Sequence, residues 1–194
     1  MKLHRLMLLL IPLSLSTVAL TQSEPLKSNA PKPEAQKSFD TIKSLAGSWQ
    51  GQVIMNPPIH DMGKANMEVS LHVTSRGNAM VHEMKEAGSP DDPAKYDHPV
   101  TMFYLDKDRL LLTHYCDAGN RPRMTARTSP DGKTVEFDFV DVSGPTDHGH
   151  MQHAVFTIVD ANHHIEDWTY LMPGDKPVHA RMELQRAAAT VAAK

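Results

Sequence analysis

Apolar and polar residues alternate along most of this chain, and that alternation limits its fold more than any other feature. It is clearest in residues 67–73. A period of two places successive side chains on opposite faces, as in a β-strand with one buried face. Turn-forming residues such as Pro130-Asp131-Gly132-Lys133 separate these segments, roughly every 8–12 residues, as in β-sandwiches and barrels. The pattern therefore predicts an all-β fold.

The sequence predicts about ten short strands, beginning at Gly47. No segment has the length and helical periodicity of β-α-β units, which argues against a Rossmann-type enzyme. We expect an antiparallel up-and-down barrel, preceded by a short helix in which Phe39, Ile42 and Leu45 recur at helical spacing. The expected strands include residues 47–54, 67–73, 79–85, 100–105, 109–116, 134–140, 154–159, 165–171 and 178–185.

The two ends of the chain differ from this pattern. Residues 1–19 have a charged start, an apolar run and small residues at Thr17 and Ala19, which is typical of a cleavable secretory signal. The apolar run is shorter than the roughly 20 residues that span a bilayer. We expect a flexible linker at residues 20–37, the barrel at 38–187 and a flexible tail at 188–194. The mature protein is then periplasmic or secreted.

Composition restricts the partners. The 194 residues carry a net charge of −3 with no basic cluster, so nucleic acid is not an expected partner. The single cysteine, Cys116, forms no internal disulfide, and stability must come from a hydrophobic core. No later segment is apolar enough to span a membrane. We expect a monomer or a small homo-oligomer.

A short motif opens the first strand. Gly47-Ser48-Trp49 resembles the Gly-x-Trp signature of lipocalin-like (calycin) barrels, in which the tryptophan plugs one end. Four later segments follow in order, and with the motif they resemble an uncharacterised, often exported bacterial family with a lipocalin-like barrel. The resemblance covers residues 38–186 and departs at residues 56–64. It implies a closed barrel, and the family has no established activity. The four segments are residues 113–124, 137–141, 149–151 and 167–169.

Nitric-oxide-binding haem barrels (nitrobindins) are similar in having ten strands and a histidine on a late strand as the iron ligand. His179 is the residue of this chain that would match that ligand. The resemblance to these haem proteins therefore implies haem as an alternative cofactor.

Polar residues collect near one predicted barrel end, where ligand cavities open. Strand alternation places His114 and Cys116 on the face of Leu110 and Leu112. We expect the loop that follows to bring in Asn120, Arg121 and Arg123, and a later strand to begin near His148 and His150. The predicted ligand-binding residues are His114, Cys116, Asn120, Arg123, His150 and Trp168.

Several interpretations of this patch stay open. The first is a cavity for a small apolar or amphipathic molecule, lined in part by the 12 methionines. Asn120 and Arg123 would alternatively grip an anionic head, and His114, Cys116 and His150 would hold zinc or copper. An enzyme would use His114 and His150 as acid and base. In the structural alternative, these residues satisfy buried carbonyls and carboxylates such as Asp138 and Asp141. No cofactor is the default expectation.

The remaining histidines are expected to be solvated. His60, His72, His82 and His98 are scattered along polar strand faces, and the pair His163 and His164 falls at a turn.

Overall fold

Over the residues that the structure describes, the protein folds as a closed antiparallel barrel of ten strands with one short α-helix, which confirms the expected fold class. The structure is a computed structural model that describes residues 31–59, 62–92 and 94–188. The proposed signal at residues 1–19 lies outside the described residues. The elements are α1 (Glu34–Lys43), β1 (Gly47–Ile59), β2 (Met62–Thr74), β3 (Ala79–Glu86), β4 (Val100–Asp106), β5 (Arg109–Tyr115), β6 (Arg121–Thr128), β7 (Thr134–Ser143), β8 (His150–Asp160), β9 (His163–Met172) and β10 (Lys176–Arg186).

Each strand pairs with its sequence neighbours, and β1 pairs with β10 to close the barrel. Gly51 lies opposite Leu184 at this junction. A Cβ atom at position 51 would lie 2.0 Å from the carbonyl oxygen of Glu183, so only glycine allows the two backbones to approach this closely. Closure leaves no unpaired sheet edge.

Helix α1 covers one end of the barrel. It begins at Glu34, inside the stretch expected to be a flexible linker. Phe39 and Ile42 on its buried face, and Leu45 just after it, are 0–1% exposed, and this apolar face explains why the helix docks. Trp49 donates from Nε1 to the carbonyl oxygen of Leu45 at 2.8 Å. The tryptophan of the Gly-x-Trp motif therefore packs beneath the helix.

The two barrel ends are built differently. Lys43 of α1 donates to the carbonyl oxygen of Gly77 in the β2–β3 turn, and Ser38 hydrogen bonds to Thr128 near the β6–β7 turn. We call this the closed end. Antiparallel order places the β3–β4, β5–β6, β7–β8 and β9–β10 connections at the opposite end, which we call the open end.

Aromatic rings fill the middle of the barrel. The rings of Phe103, Phe137 and Phe156 lie 5.4–5.9 Å apart in tilted and edge-to-face pairs. Trp168 packs against Phe156 at 5.5 Å on the side of the open end. Buried side chains thus fill the interior from the closed end to its middle, and a cavity lies beyond Trp168.

Two local details differ from the sequence-based expectations. Arg121 and Arg123 were expected in a loop, yet they belong to β6. Pro122, between them, and Met124, directly after Arg123, are buried, so the segment follows ordinary strand alternation. Residues 56–59 and 62–64, part of the segment where the resemblance departs, extend β1 and β2. Within the part of the chain that the structure describes, no helix is long and apolar enough to cross a membrane.

Candidate functional site

A cavity of about 730 Å³ opens at the open end of the barrel. Strands β1, β2, β3, β5, β8, β9 and β10 contribute to its walls, together with the connections that surround its mouth. Its lining is mostly apolar. Six methionines supply much of that surface, namely Met55, Met67, Met84, Met151, Met172 and Met182. Unbranched thioether side chains adapt to the shape of what they contact.

Trp168 and His114 form the inner part of the cavity wall. Their ring centroids lie 5.6 Å apart. His114 is 1% exposed, and its Nδ1 hydrogen bonds to the Thr101 hydroxyl at 2.8 Å. Burial, with a smaller contribution from the charge of His82, lowers the pKa of His114 to about 3. The imidazole is therefore neutral at physiological pH.

The tautomer of His114 follows from its hydrogen bond with the Thr101 hydroxyl. Among the described residues, the Thr101 hydroxyl has His114 as its side-chain partner. Donation from that hydroxyl to Nδ1 satisfies both groups, whereas the opposite arrangement leaves the hydroxyl hydrogen without an acceptor. Nε2 then carries the proton. His114 is thus an uncharged residue of the cavity wall whose Nε2 carries the N–H donor.

The cavity mouth carries polar groups from the connections. The backbone N–H of Asp117 donates to Asp97 Oδ1 at 3.1 Å, and both residues line the cavity. Burial and the neighbouring Asp117 raise the pKa of Asp97. The Tyr170 hydroxyl donates to the carbonyl oxygen of His148 at 2.9 Å. Burial, together with Cys116, Asp117 and Asp97, raises the pKa of Tyr170 to about 12.

Cys116 lies half-buried at this mouth. Burial raises the pKa of its thiol, and Asp97 and Asp117 raise it further, against a backbone hydrogen bond with Ala118 that lowers it. A nucleophilic cysteine requires the opposite shift. Cys116 is therefore a lining residue with no activated thiolate.

The structure brings three of the six predicted ligand-binding residues together. His114, Cys116 and Trp168 line the cavity, and Asn120, Arg123 and His150 are not among its described lining residues. Asn120 is 2% exposed and donates from Nδ2 to the carbonyl oxygens of Pro145 and Gly149 at 2.8 and 2.7 Å. It ties the β5–β6 connection to the β7–β8 connection, a structural role.

Arg123 lies on the outer face of β6. It forms a two-point ion pair with Asp141 of β7. This contact agrees with the alternative interpretation, in which these polar residues pair with carboxylates such as Asp141. Strand alternation explains the outcome, since Met124 is fully buried and its neighbour must point outward. Arg123 is not positioned to grip a ligand inside the barrel.

His150 packs outside the cavity as well. Its ring stacks on Phe139 with centroids 4.9 Å apart, and its Nδ1 lies 3.1 Å from the carbonyl oxygen of Met151. The proposed metal set therefore loses one of its three ligands. For the same reason, His114 and His150 share no pocket in which they would act as acid and base.

A different metal-like cluster lies on the outer face of the barrel. Glu136, Asp138 and His153 place ligand atoms within 4.8 Å of one another. Arg127 already bonds to Asp138 at 2.7 Å and to Glu136 at 2.5 Å. Its guanidinium supplies the positive charge that a cation would bring, so the carboxylates are already compensated.

The expected haem ligand faces away from the interior. His179 is exposed on β10 and hydrogen bonds to Thr169 at 3.1 Å. Its neighbours Val178 and Ala180 line the cavity instead, as the period of two requires. A haem inside the barrel would therefore lack this ligand.

Two histidines expected on the surface are in fact fully buried. His82 and His164 both hydrogen bond through Nε2 to Glu166, at 3.1 and 2.9 Å, and all three residues are 0% exposed. Trp168 donates from Nε1 to Glu166 Oε2 at 3.0 Å. Three donors thus converge on one carboxylate.

The charge state of this network follows from its contacts. Burial by itself raises the pKa of Glu166, but the histidines His82 and His164 outweigh burial and hold that pKa well below its usual value of 4.5. Glu166 is a carboxylate. The Nδ1 atoms of both histidines have no hydrogen-bond partner among the described residues.

A second concavity, of about 850 Å³, lies on the outer face of β1–β3 beside the β3–β4 connection. Glu68, Glu83, Lys85 and Asp91 line it, and Lys85 already pairs with Asp91 at 2.7 Å. Ligand pockets are usually lined by apolar side chains with a few convergent polar groups. The interior cavity matches that description better, and we take it as the candidate site.

Comparison with known proteins supports the fold. No family model and no curated protein matches the sequence. The crystal structure of Rv2717c from M. tuberculosis is similar, with a TM-score of 0.57 and 11% identity, covering 78% of this chain and 98% of that one. A protein of unknown function from the DUF3598 family of Nostoc punctiforme PCC 73102 has a TM-score of 0.41 and 8% identity, covering 82% of this chain and 53% of that one. At 11% identity, the likeness to Rv2717c shows the fold alone.

Proposed function

We propose that this barrel binds a small apolar or amphipathic molecule in the open-end cavity, in the manner of lipocalin-like proteins. The observation that carries the proposal is a cavity of about 730 Å³ with six methionines in its lining. Ligand pockets are typically of roughly 300–1,000 Å³. An apolar body within this cavity would be removed from water on most sides, which is favourable in proportion to the apolar area buried.

Polar groups in the lining give the ligand an orientation. Trp168 presents a ring face, and neutral His114 presents one N–H donor near it. Trp168 is fixed from behind by its hydrogen bond to Glu166. A positioned donor in an otherwise apolar site is the arrangement by which pockets select among ligands of similar size.

A fluorescent probe and one pair of variants test this proposal. Ala180 lines the cavity and lies opposite Met55 and Trp168 in the strand register, so Ala180→Trp should fill part of the space. Nile red, an uncharged dye that brightens in apolar surroundings, should bind the unaltered protein. We expect Ala180→Trp to weaken that binding at least about tenfold, equivalent to about 1.4 kcal/mol.

His179→Trp is the matched control, because residue 179 is the outward-facing neighbour of Ala180. It adds the same side chain on the outer surface and should leave Nile red binding unchanged. Equal binding by all three proteins would show that the dye does not enter the cavity and would overturn the proposal.

We further propose that the protein is exported and acts in the periplasm or outside the cell. The signal-like pattern of residues 1–19 and the small residue Ala19 support this location. Cell fractionation followed by N-terminal sequencing tests it. A mature chain that begins near Leu20 in the exported fraction is the expected result, and a full-length chain confined to the cytosol would contradict it.

A further inference from the structure

The fixed charges that line the open-end cavity are all negative. Asp97 and Asp117 contribute two carboxyl groups, and the described lining residues include no lysine and no arginine. Neutral His114 adds no charge, because its pKa is lowered to about 3. His98 follows Asp97 directly and acts to lower the pKa of Asp97, but it lines the outer groove on β1–β3. His148 also lines the cavity. A ligand head at this mouth therefore meets two carboxyl groups and, among the described lining residues, no lysine or arginine.

The two carboxyl groups are held close together. Asp97 precedes β4, Asp117 follows β5, and these strands are neighbours. The backbone hydrogen bond from Asp117 to Asp97 Oδ1, at 3.1 Å, fixes the two connections against each other. Tyr170, on β9, also responds to both carboxylates, since they contribute to the rise of its pKa to about 12. The negative field therefore extends over the mouth rather than over one residue.

The remaining lining suits the same ligand chemistry. Trp168 and Tyr170 present aromatic rings, and aromatic faces attract organic cations. The methionines add polarisable thioethers beside an alkyl chain. In contrast, a carboxylate or phosphate head would lie beside Asp97 and Asp117 with no basic side chain in the described lining to neutralise it, which is unfavourable.

We propose that the cavity selects an amphiphile with a cationic head, such as an alkylammonium, seated at Asp97 and Asp117 with its alkyl chain among the methionines. This inference rests on the proposed function, because it requires that the cavity bind a ligand. It names the ligand class as organic cations and sets the protein apart from a fatty-acid carrier.

Three probes with the same chain length test the selection. Isothermal titration calorimetry at pH 7 would compare decylammonium and decanoate, each below its critical micelle concentration, with decanol below its solubility limit. We expect decylammonium to bind about tenfold more tightly than decanol, which corresponds to one favourable partly solvated charge pair. Decanoate should bind most weakly. The inference would be overturned if either decanoate or decanol bound as tightly as decylammonium.

A charge-matched pair of variants locates the effect. The double variant Asp97→Asn with Asp117→Asn removes both charges at the cavity mouth. It keeps a side-chain oxygen at position 97 that accepts the backbone N–H of residue 117. We expect the preference for decylammonium over decanol to fall to within about threefold. Asp106→Asn with Asp108→Asn removes the same charge from the β4–β5 turn at the closed end, and should keep the full preference. An equal loss in both double variants would contradict a local effect.

The outcomes separate this inference from the proposed function. If Nile red enters the cavity and decylammonium shows no preference over decanol, the cavity still binds apolar molecules and only the selection fails. If Nile red does not bind, or if Ala180→Trp does not weaken its binding, the proposed function itself fails. The single variants Asp97→Asn and Asp117→Asn, each expected to lose part of the preference, replace the double variant should it not fold.

Discussion

At the scale of single residues, the interior of this barrel is organised around one carboxylate. Glu166 accepts hydrogen bonds from His82, His164 and Trp168, and the last of these forms part of the cavity wall. A buried charge is tolerated only when it is paired and hydrogen bonded. The network therefore holds Trp168 in place while it meets that requirement.

Replacing Glu166 by glutamine should destabilise the protein strongly. The amide has one acceptor oxygen where the carboxylate has two, and its NH2 group faces donors, so at least one buried N–H loses its partner. We expect a loss of about 3 kcal/mol in the free energy of unfolding, measured by urea denaturation. Glu183→Gln, at an exposed position of β10, is the control and should change stability by less than about 0.5 kcal/mol. Similar stability for both variants would contradict a structural role for the network.

The pH dependence of stability should reveal His114. Its folded pKa of about 3 lies below its usual 6.5, so below pH 6.5 the unfolded chain binds the proton and the folded protein does not. The stability associated with His114 is complete above pH 6.5 and is lost as pH falls toward 3, at about 1.4 kcal/mol per pH unit. The stability associated with Glu166 is also lost as pH falls, because the pKa of Glu166 is lowered too. That loss begins near pH 4.5, the usual pKa of the group.

His114→Asn separates the two contributions. The variant should show a shallower decline in unfolding free energy between pH 6.5 and 5 than the unaltered protein, when both are measured by urea denaturation at several pH values. Parallel curves over that range would show that His114 is protonated in the folded state, contrary to its burial.

The sequence predicted part of this arrangement. His114 and Cys116 were placed correctly from alternation alone, because Leu110 and Leu112 precede them on one face. The same alternation places His82 on the face of Met80 and Met84, but the polar character of the histidine side chain favours a solvated position instead. Hydrogen-bond partners from distant strands, such as Glu166 for His82, leave no local signal in a sequence.

At the scale of elements, closure of the barrel depends on the contact between β1 and β10. Gly51 permits this approach, and the Arg186 guanidinium lies 4.1 Å above the Trp49 ring next to it.

The elements themselves were predictable from the sequence. The period of two predicts the strand positions, and three apolar residues at helical spacing predict helix α1. The hydrogen bonds by which Asn120 joins the β5–β6 connection to the β7–β8 connection were not predictable, since they depend on how the two connections meet in space.

Gly51→Ala should therefore weaken closure. A Cβ atom 2.0 Å from the Glu183 carbonyl oxygen forces the strands apart, and we expect a loss of about 2 kcal/mol or more by urea denaturation. Gly63→Ala, where the nearest atom in reach of the new Cβ is a Pro58 side-chain carbon at 3.6 Å, is the control and should have a small effect. Equal stability of the two variants would show that β1 and β10 do not pack as described.

At the scale of the whole molecule, the barrel is divided into a solid half and an open half. Helix α1, the aromatic rings and the Glu166 network fill the closed end, so stability resides there. The methionine-lined cavity occupies the open end, where connections of several residues surround its mouth. This division lets a protein with one unpaired cysteine keep an internal cavity, because its core is complete without a ligand.

The most direct test of ligand binding is native mass spectrometry of the protein recovered, without denaturation, from the cells that produce it. The proposal predicts a population heavier than the polypeptide by one small organic molecule, which is released on denaturation and absent from Ala180→Trp. A spectrum that contains only the bare polypeptide, or a bound molecule that Ala180→Trp retains fully, would contradict a ligand in the open-end cavity.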